Sequence, residues 1–140
     1  MRKVFILISL SGLLAAGVVA QAKMNTTKSG LKYADLNVGA GDQAVKGSVA
    51  YVHYTGWLYV DGARGKQIDT SVGHDPLRFR LGGREVISGL DEGLEGMKVG
   101  GKRELIIPPS LAYGAEDIEN GLIPPFSTLE FEVELVRVSK

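Results

Sequence analysis

Beyond residue 30, hydrophobic and polar positions alternate in short runs that glycine and Asp-Gly turns separate. Alternation with a period of two is typical of strands that bury one face. In the last run, glutamates occupy every second position, so we expect them all on one solvent-exposed face. The predicted strands cover residues 31–36, 48–59, 67–71, 77–81, 102–107 and 129–135.

One segment has the periodicity of a helix. Ile87, Leu90, Leu94 and Met97 are spaced three, four and three apart, which predicts one apolar face of a short helix over residues 87–95. Two glycines inside it each cost about 1 kcal/mol relative to alanine, so packing against the sheet must stabilise this helix. Strands flanking one short helix predict a single α+β domain without internal repeats.

Residues 1–22 have the pattern of an export signal. Two basic residues precede a mainly apolar run from Val4 to Ala20, and Ala20-Gln21-Ala22 is a small-x-small cleavage site. The alternative is an uncleaved membrane anchor, because the run is only just shorter than the ~18–20 residues that span a bilayer. We expect cleavage, and therefore a periplasmic or secreted protein.

The mature chain is expected to begin at Lys23, with a flexible polar lead-in over residues 23–30 and one folded domain over residues 31–140. Removing the signal leaves 14 basic and 16 acidic side chains, a net charge of −2, without runs of like charge. Neither a nucleic-acid partner nor membrane binding after cleavage is expected. The absence of cysteine excludes a disulfide framework.

The usual catalytic motifs have little support. A serine-histidine-acid triad needs a base histidine, but His53 lies inside a predicted strand and His74 in a turn, neither beside a nucleophile motif. Two separated histidines without cysteine make a zinc site improbable. The glycine pairs at 82–83 and 100–101 fit neither the dinucleotide nor the phosphate-loop pattern. We therefore expect no metal and no cofactor.

Five segments carry a more specific signal. In this order and spacing they resemble the FKBP family of peptidyl-prolyl isomerases, over nearly the whole length from Gly30 to Lys140. The resemblance implies a strongly curved antiparallel β-sheet wrapped around one short α-helix, with a proline-binding pocket between them. The segments are Val52-His53-Tyr54-Thr55-Gly56, Ile68-Asp69-Thr70-Ser71, Glu85-Val86-Ile87-Ser88-Gly89, Ala112-Tyr113-Gly114-Ala115 and Leu122-Ile123-Pro124-Pro125.

The resemblance also implies roles for single residues. The backbone N–H of Ile87 and the hydroxyl of Tyr113 would bind carbonyls of the substrate peptide, and Asp69, a candidate sheltered carboxylate, would lie near the rotating amide. Considered singly, Asp69 has the sequence context of a turn residue that bonds its own backbone, and Tyr113 that of a loop aromatic. The matching pocket-wall residues, which alone would be assigned to the core, are Tyr54, Val86, Ile123 and Phe131.

Three positions depart from the family pattern. Leu90 stands where the family usually has a tryptophan, and Ile68 and Leu77 replace aromatic residues. The pocket stays apolar but loses flat ring surface, so we expect macrolides such as rapamycin to bind with reduced affinity. Two segments near the expected pocket rim, residues 63–66 and 116–120, look inserted or lengthened.

The sequence supports two hypotheses for function. The first is an isomerase that accelerates X-Pro rotation in exported proteins during their folding, with proline-containing polypeptides as substrates. The second is a non-catalytic module that binds proline peptides or unfolded chains, which the three altered pocket positions favour. Retention of Asp69 and Tyr113 favours the first hypothesis. We expect a monomer, because the long N-terminal helical extension through which some exported relatives dimerise is absent.

Overall fold

The computed structural model describes residues 24–140, so the expected signal segment and its cleavage site lie outside the described part of the chain. Residues 24–140 form one antiparallel sheet and one short α-helix, which confirms the predicted fold class. No helix in this range is long and apolar enough to cross a membrane. The elements are β1 Asn25–Thr26, β2 Lys32–Asn37, β3 Val49–Val60, β4 Ala63–Thr70, β5 Leu77–Arg80, α1 Ser88–Leu94, β6 Lys102–Ile107, a 3-10 helix Pro109–Leu111 and β7 Thr128–Ser139.

The two 12-residue strands, β3 and β7, are neighbours near the middle of the sheet. The strand order is β1-β2-β6-β7-β3-β4, and β5 pairs with the first half of β3 on the side where β4 pairs with the second half. Because side chains alternate between the faces of a strand, both long strands carry apolar residues toward the helix. The sheet thus has a concave face against the helix and a convex outer face.

The core lies between the concave face and α1. Within the named elements, its buried side chains come from β3, β5, α1, β6 and β7. The glycines of α1 allow the helix to approach β6 closely, since a Cβ atom at Gly93 would lie 2.6 Å from Cδ1 of the fully buried Leu105. Close packing at this point offsets the low helix propensity of glycine.

Two connections differ from the sequence-based expectation. Asn25–Thr26, predicted to lie in a flexible lead-in, pair with β2 as a short strand. β4 begins at Ala63, not at residue 67, because Asp61 and Gly62 both adopt positive φ, 51° and 76°, and close a two-residue hairpin turn. Residues 63–66 therefore extend β4 instead of forming a separate connection.

The outer face contains a buried charge that the alternating pattern did not predict. Glu130 on β7 was expected to face solvent but is only 3% exposed. Arg64 on β4 covers it, with Nη2 2.8 Å from Oε2 of Glu130 and 2.9 Å from Oε2 of Glu132. The guanidinium also lies 3.6 Å from the centre of the Trp57 ring. The side chain of Arg64 therefore lies on the convex face, away from the concave face where the pocket was predicted.

Glu104 on β6 lies beside this cluster, opposite Glu132 in the ladder. Burial, a hydrogen bond with Glu130 and the charges of both glutamates raise the pKa of Glu104 to about 7. Burial alone would also raise the pKa of Glu130, but hydrogen bonds with Arg64 and Glu104 outweigh it and leave that pKa below the ordinary value. Glu104 therefore keeps its proton to a higher pH than an ordinary glutamate does.

This arrangement predicts that stability falls as pH rises through neutrality. A raised folded-state pKa contributes stability that is fully present below the ordinary value of 4.5 and is lost as pH passes about 7. Glu104→Gln should remove that slope, making the variant about 1 kcal/mol more stable than wild type at about pH 8, a figure reduced because the carboxyl is partly solvated. Urea unfolding at about pH 5 and pH 8 measures it. Glu134→Gln on the same face serves as control. If the free energy of unfolding depends on pH equally in all three proteins, Glu104 is not the group responsible.

Candidate functional site

The predicted pocket residues lie in strands β3, β4, β5 and β7, at the start of α1 and in the segment between β6 and β7. All of them except Asp69 belong to the core or pack against it. Three members belong to the buried core, with exposed fractions of 5–6%: Leu90, Ile123 and Phe131. Six more pack against that core and are partly exposed: Tyr54, Ile68, Leu77, Val86, Ile87 and Tyr113.

Asp69 joins this group through Tyr54. The Tyr54 hydroxyl donates a hydrogen bond of 2.7 Å to Oδ2 of Asp69. The other carboxylate oxygen accepts the backbone N–H of Thr70 at 2.8 Å. Burial, followed by the hydrogen bond to Asp69, raises the pKa of Tyr54 to about 12, so the hydroxyl stays a neutral donor. Asp69 is thereby oriented by two donors.

Asp69 was expected to be sheltered, and that expectation is wrong. The residue is exposed, because β4 is the edge strand and Asp69 lies near its end. The Asp69 carboxylate also accepts the backbone N–H of Thr70, a local hydrogen bond of the kind expected for a turn residue. The exposed Asp69 carboxylate therefore keeps its contact with solvent, while the side chains beside it are apolar.

Phe131 forms the wall opposite this edge. Its ring centre lies 5.9 Å from that of Tyr54 at an angle of 45°. The ring lies over Gly56 of β3, its partner in the ladder, and a Cβ atom at Gly56 would be 2.7 Å from ring atom Cε2. Gly56 therefore makes room for the Phe131 ring, a role that the sequence pattern did not assign to it. The available signal was a glycine interrupting an otherwise β-branched and aromatic strand.

Ile87 occupies the N-cap position of α1, and its carbonyl accepts the N–H groups of Leu90 and Asp91 at 3.0 and 3.1 Å. The preceding loop is tied to the same helix, because the Asp91 carboxylate accepts the N–H of Gly82 at 2.6 Å and of Arg84 at 3.2 Å. Within residues 24–140 the N–H of Ile87 has no acceptor. A rigid backbone donor is therefore available at the pocket.

Tyr113 follows the 3-10 helix and is held by its backbone. Its carbonyl accepts the N–H of Glu116 at 3.0 Å, and the next carbonyl, of Gly114, accepts the N–H of Phe126 at 2.7 Å. Burial raises the pKa of Tyr113, and the charges of Asp69 and Glu119 add to the effect. The hydroxyl has no partner within the described chain, residues 24–140, so it is a second available donor.

The loop of residues 114–126 closes on itself beside Tyr113. Ile118 and Ile123 exchange two backbone hydrogen bonds of 3.1 and 3.2 Å, which fixes Ile123 in the pocket wall. The acidic segment 116–120 is exposed except for Ile118. The loop thus follows one predicted pocket residue, Tyr113, and contains another, Ile123.

The remaining members supply apolar surface. Leu90 on α1 is 6% exposed and packs into the core below the pocket. Ile68, Leu77 and Val86 pack against the same core and are partly exposed. Within residues 24–140 no group of three histidine, cysteine or acidic side chains is placed to hold a metal ion. The site therefore combines an apolar interior, two available hydrogen-bond donors and one carboxylate at its edge.

Comparison with known proteins agrees with this architecture. The family described as FKBP-type peptidyl-prolyl cis-trans isomerase matches residues 41–136. The chain is 50% identical over 110 residues to the FK506-binding protein of Neisseria meningitidis serogroup B, covering 78% of this chain and 96% of that protein. It is 40% identical over 131 residues to the chloroplastic peptidyl-prolyl cis-trans isomerase FKBP16-4 of Arabidopsis thaliana, covering 91% of this chain and 56% of that one.

Solved structures give the same result. The crystal structure of FkpA from Escherichia coli superposes with a TM-score of 0.72 at 40% identity, over 94% of this chain and 59% of that one. A peptidyl-prolyl cis-trans isomerase from Pseudomonas syringae pv. tomato has a TM-score of 0.73 at 38% identity, over 89% and 87% of the two chains. With the sheet, the helix and the sequence in agreement, the chain belongs to the FKBP-type family of peptidyl-prolyl cis-trans isomerases.

Proposed function

We propose that this isomerase accelerates rotation about X-Pro bonds in exported proteins as they fold, using the pocket between α1 and the concave face. The observation that carries the proposal is the pairing of an apolar pocket with two available donors, the Ile87 N–H and the Tyr113 hydroxyl. Export is supported by the signal pattern of residues 1–22. Substrates would be proline-containing polypeptides, and the protein would act as a monomer.

An apolar pocket suits this reaction. Rotation is slow because the amide must lose its C–N resonance, across a barrier of roughly 18–20 kcal/mol. The twisted amide has less charge separation than either planar isomer, so it tolerates apolar surroundings better. A wall of Phe131, Leu90 and Ile123 therefore favours the transition state over the ground state. Lowering the barrier by about 5–8 kcal/mol would give roughly four to six decades in rate.

The polar groups would orient the peptide. The Ile87 N–H and the Tyr113 hydroxyl would each bind a backbone carbonyl, holding one side of the bond while the other turns. Asp69, oriented by Tyr54 and Thr70, would lie at the pocket edge near the rotating amide. None of these steps breaks a covalent bond.

The test is catalysed isomerisation of short X-Pro peptides by the protein without residues 1–22. Asp69→Leu and Tyr113→Phe are the paired variants, and each should lower kcat/KM by about tenfold or more, as expected for a charged or well-placed hydrogen bond in the transition state. Far-ultraviolet circular dichroism would show that both variants fold. Full activity in both would overturn the assigned site.

The alternative of a non-catalytic binding module rests on Leu90, Ile68 and Leu77, which give less flat ring surface than the family pattern. A folded wild-type protein that binds proline peptides but leaves the isomerisation rate unchanged would establish that alternative. A pull-down of unfolded chains with the folded protein would then identify its partners.

The altered floor predicts weak macrolide binding that one substitution should improve. Leu90→Trp restores a flat ring below the pocket, and the added contact area should tighten rapamycin binding by about tenfold, or ~1.4 kcal/mol. Isothermal titration calorimetry of both proteins measures the change. Leu94→Trp, one turn further along α1 at a fully buried position, is the control that should not improve binding. Unchanged or weaker binding by Leu90→Trp would contradict this account of the floor.

A further inference from the structure

His53 lies on β3 immediately before Tyr54, so its side chain is on the convex face while that of Tyr54 faces the pocket. The proposed reaction does not use it. Its Nδ1 atom is 2.9 Å from Oγ of Ser71, a residue only 6% exposed. Ser71 directly follows Asp69 and Thr70. The His53 ring therefore contacts the segment that carries Asp69 from the convex face of the sheet, opposite the pocket.

The Ser71 hydroxyl has one hydrogen to donate and two possible acceptors for it. Oγ already accepts the N–H of Tyr54 at 2.8 Å. The hydrogen can point to Nδ1 of His53 at 2.9 Å or to the carbonyl of Tyr54 at 3.4 Å. The shorter distance favours His53, which must then be neutral with its proton on Nε2. When His53 is protonated, Nδ1 becomes a donor and the Ser71 hydrogen must turn to the Tyr54 carbonyl.

That carbonyl is already occupied. It accepts the N–H of Ser71 at 2.9 Å and the hydroxyl of Thr70 at 3.2 Å, which uses both lone pairs. A third donor would compete with Thr70, whose hydroxyl also contacts that of Thr55 at 2.9 Å. Thr70 in turn donates its N–H to Asp69. A chain of hydrogen bonds through Ser71, the Tyr54 carbonyl and Thr70 therefore connects His53 to Asp69.

We propose that His53 is a positioning residue: neutral His53 accepts the Ser71 hydroxyl and so holds Asp69 against Tyr54, and protonation of His53 loosens that arrangement and lowers isomerase activity. This inference rests on the proposed function. Histidine is the side chain that ordinarily changes charge between pH 5 and 8, so the test covers that range. The direction of the effect is fixed: activity decreases as pH falls.

Several charged groups face His53. Glu134 of β7 is its direct partner in the ladder, and Glu132 and Lys102 line the same groove on the convex face. The turn after Ser71 carries His74 and Asp75, and the groups around Tyr51, two positions earlier on β3, are Arg78 and Arg137. The test must therefore separate any effect of these groups from that of His53.

The test measures kcat/KM for an end-capped, uncharged X-Pro peptide between about pH 5 and 8. In wild type, kcat/KM should fall by about threefold to tenfold on acidification, the effect of weakening one neutral hydrogen bond. His53→Asn keeps an acceptor, Oδ1, in place of Nδ1 but does not titrate, so its activity should stay near the neutral-pH value throughout. His53→Phe keeps a ring without an acceptor and should be low at every pH.

His74→Asn is the matched control for the other histidine and should follow wild type. Equal pH dependence in wild type and His53→Asn would overturn the proposal, as would a flat wild-type profile. Nitrogen-15 spectra give a readout that does not depend on catalysis. The chemical shifts of the Thr70 and Ser71 amides should change with pH in parallel with those of the His53 ring in wild type, and they should stay constant in His53→Asn. A folded wild-type protein that is inactive at every pH would contradict the proposed function. Separately, Thr70 and Ser71 amide chemical shifts that do not change with pH in wild type would refute the His53 contact.

Discussion

Phe131→Ala is expected to lower the free energy of unfolding by about 3–5 kcal/mol, the range for deleting a buried aromatic side chain. Phe131 is 5% exposed, lies against Tyr54 and over Gly56, and belongs to the core as well as to the pocket wall. Because it serves both, kcat/KM for X-Pro peptides should fall by about tenfold or more in the fraction that remains folded. Urea unfolding and the peptide assay at low temperature measure the two effects.

Phe126 offers a matched control in the same chain. It lies five residues earlier, in the loop before β7, and is 70% exposed. Phe126→Ala deletes the same atoms from an exposed position, so stability should change by about 0.5 kcal/mol or less. Similar small losses for both variants would show that Phe131 does not close the core as described. A large loss of stability with unchanged kcat/KM in Phe131→Ala would remove the residue from the pocket.

Arg64→Met should be the second most disruptive change, although the side chain is 41% exposed. Removing Arg64 leaves Glu130 buried beside Glu104 and Glu132 without a cation. Breaking a buried pair in this way costs about 3–5 kcal/mol when both partners are buried, and we expect about 2 kcal/mol here because Arg64 is partly solvated. The loss should be larger at about pH 8 than at about pH 5, where Glu104 takes up a proton.

A double substitution separates the ion pair from the packing of Arg64 on Trp57. Glu130→Gln combined with Arg64→Met removes the unpaired charge, so most of the loss should be recovered. Arg84→Met is the control, since Arg84 is exposed and forms no salt bridge within residues 24–140. If the double variant is no more stable than Arg64→Met, the stacking on Trp57 and not the charge pairing accounts for the effect.

The outer-face cluster and the pocket are built on the same strands but on opposite faces. Glu130 and Phe131 are adjacent on β7, and His53 and Tyr54 are adjacent on β3. Substitutions on the convex face can therefore change stability or the position of pocket residues without touching substrate. Measuring unfolding and kcat/KM on the same variants distinguishes the two routes.

The sequence alone determined the class of fold, the helix, most strands and the family, because each depends on local signals. Alternation sets which face of a strand is apolar, spacing of three and four places a helix, and the ordered segments from Tyr54 to Ile123 carry the resemblance. The candidate pocket residues followed from that resemblance, and all of them except Asp69 belong to the core or pack against it.

What only the tertiary structure decided depends on contacts between residues distant in the chain. The alternating pattern assigned Glu130 to solvent, but Arg64 from another strand covers it. Asp69 is exposed because β4 is the edge strand, and its orientation comes from Tyr54, fifteen positions earlier. Glycine is required at positions 56 and 93 because the ring of Phe131 and the side chain of Leu105 occupy the space that a Cβ atom would need. Such contacts leave no local pattern, because burial and close approach are properties of the assembled sheet and helix.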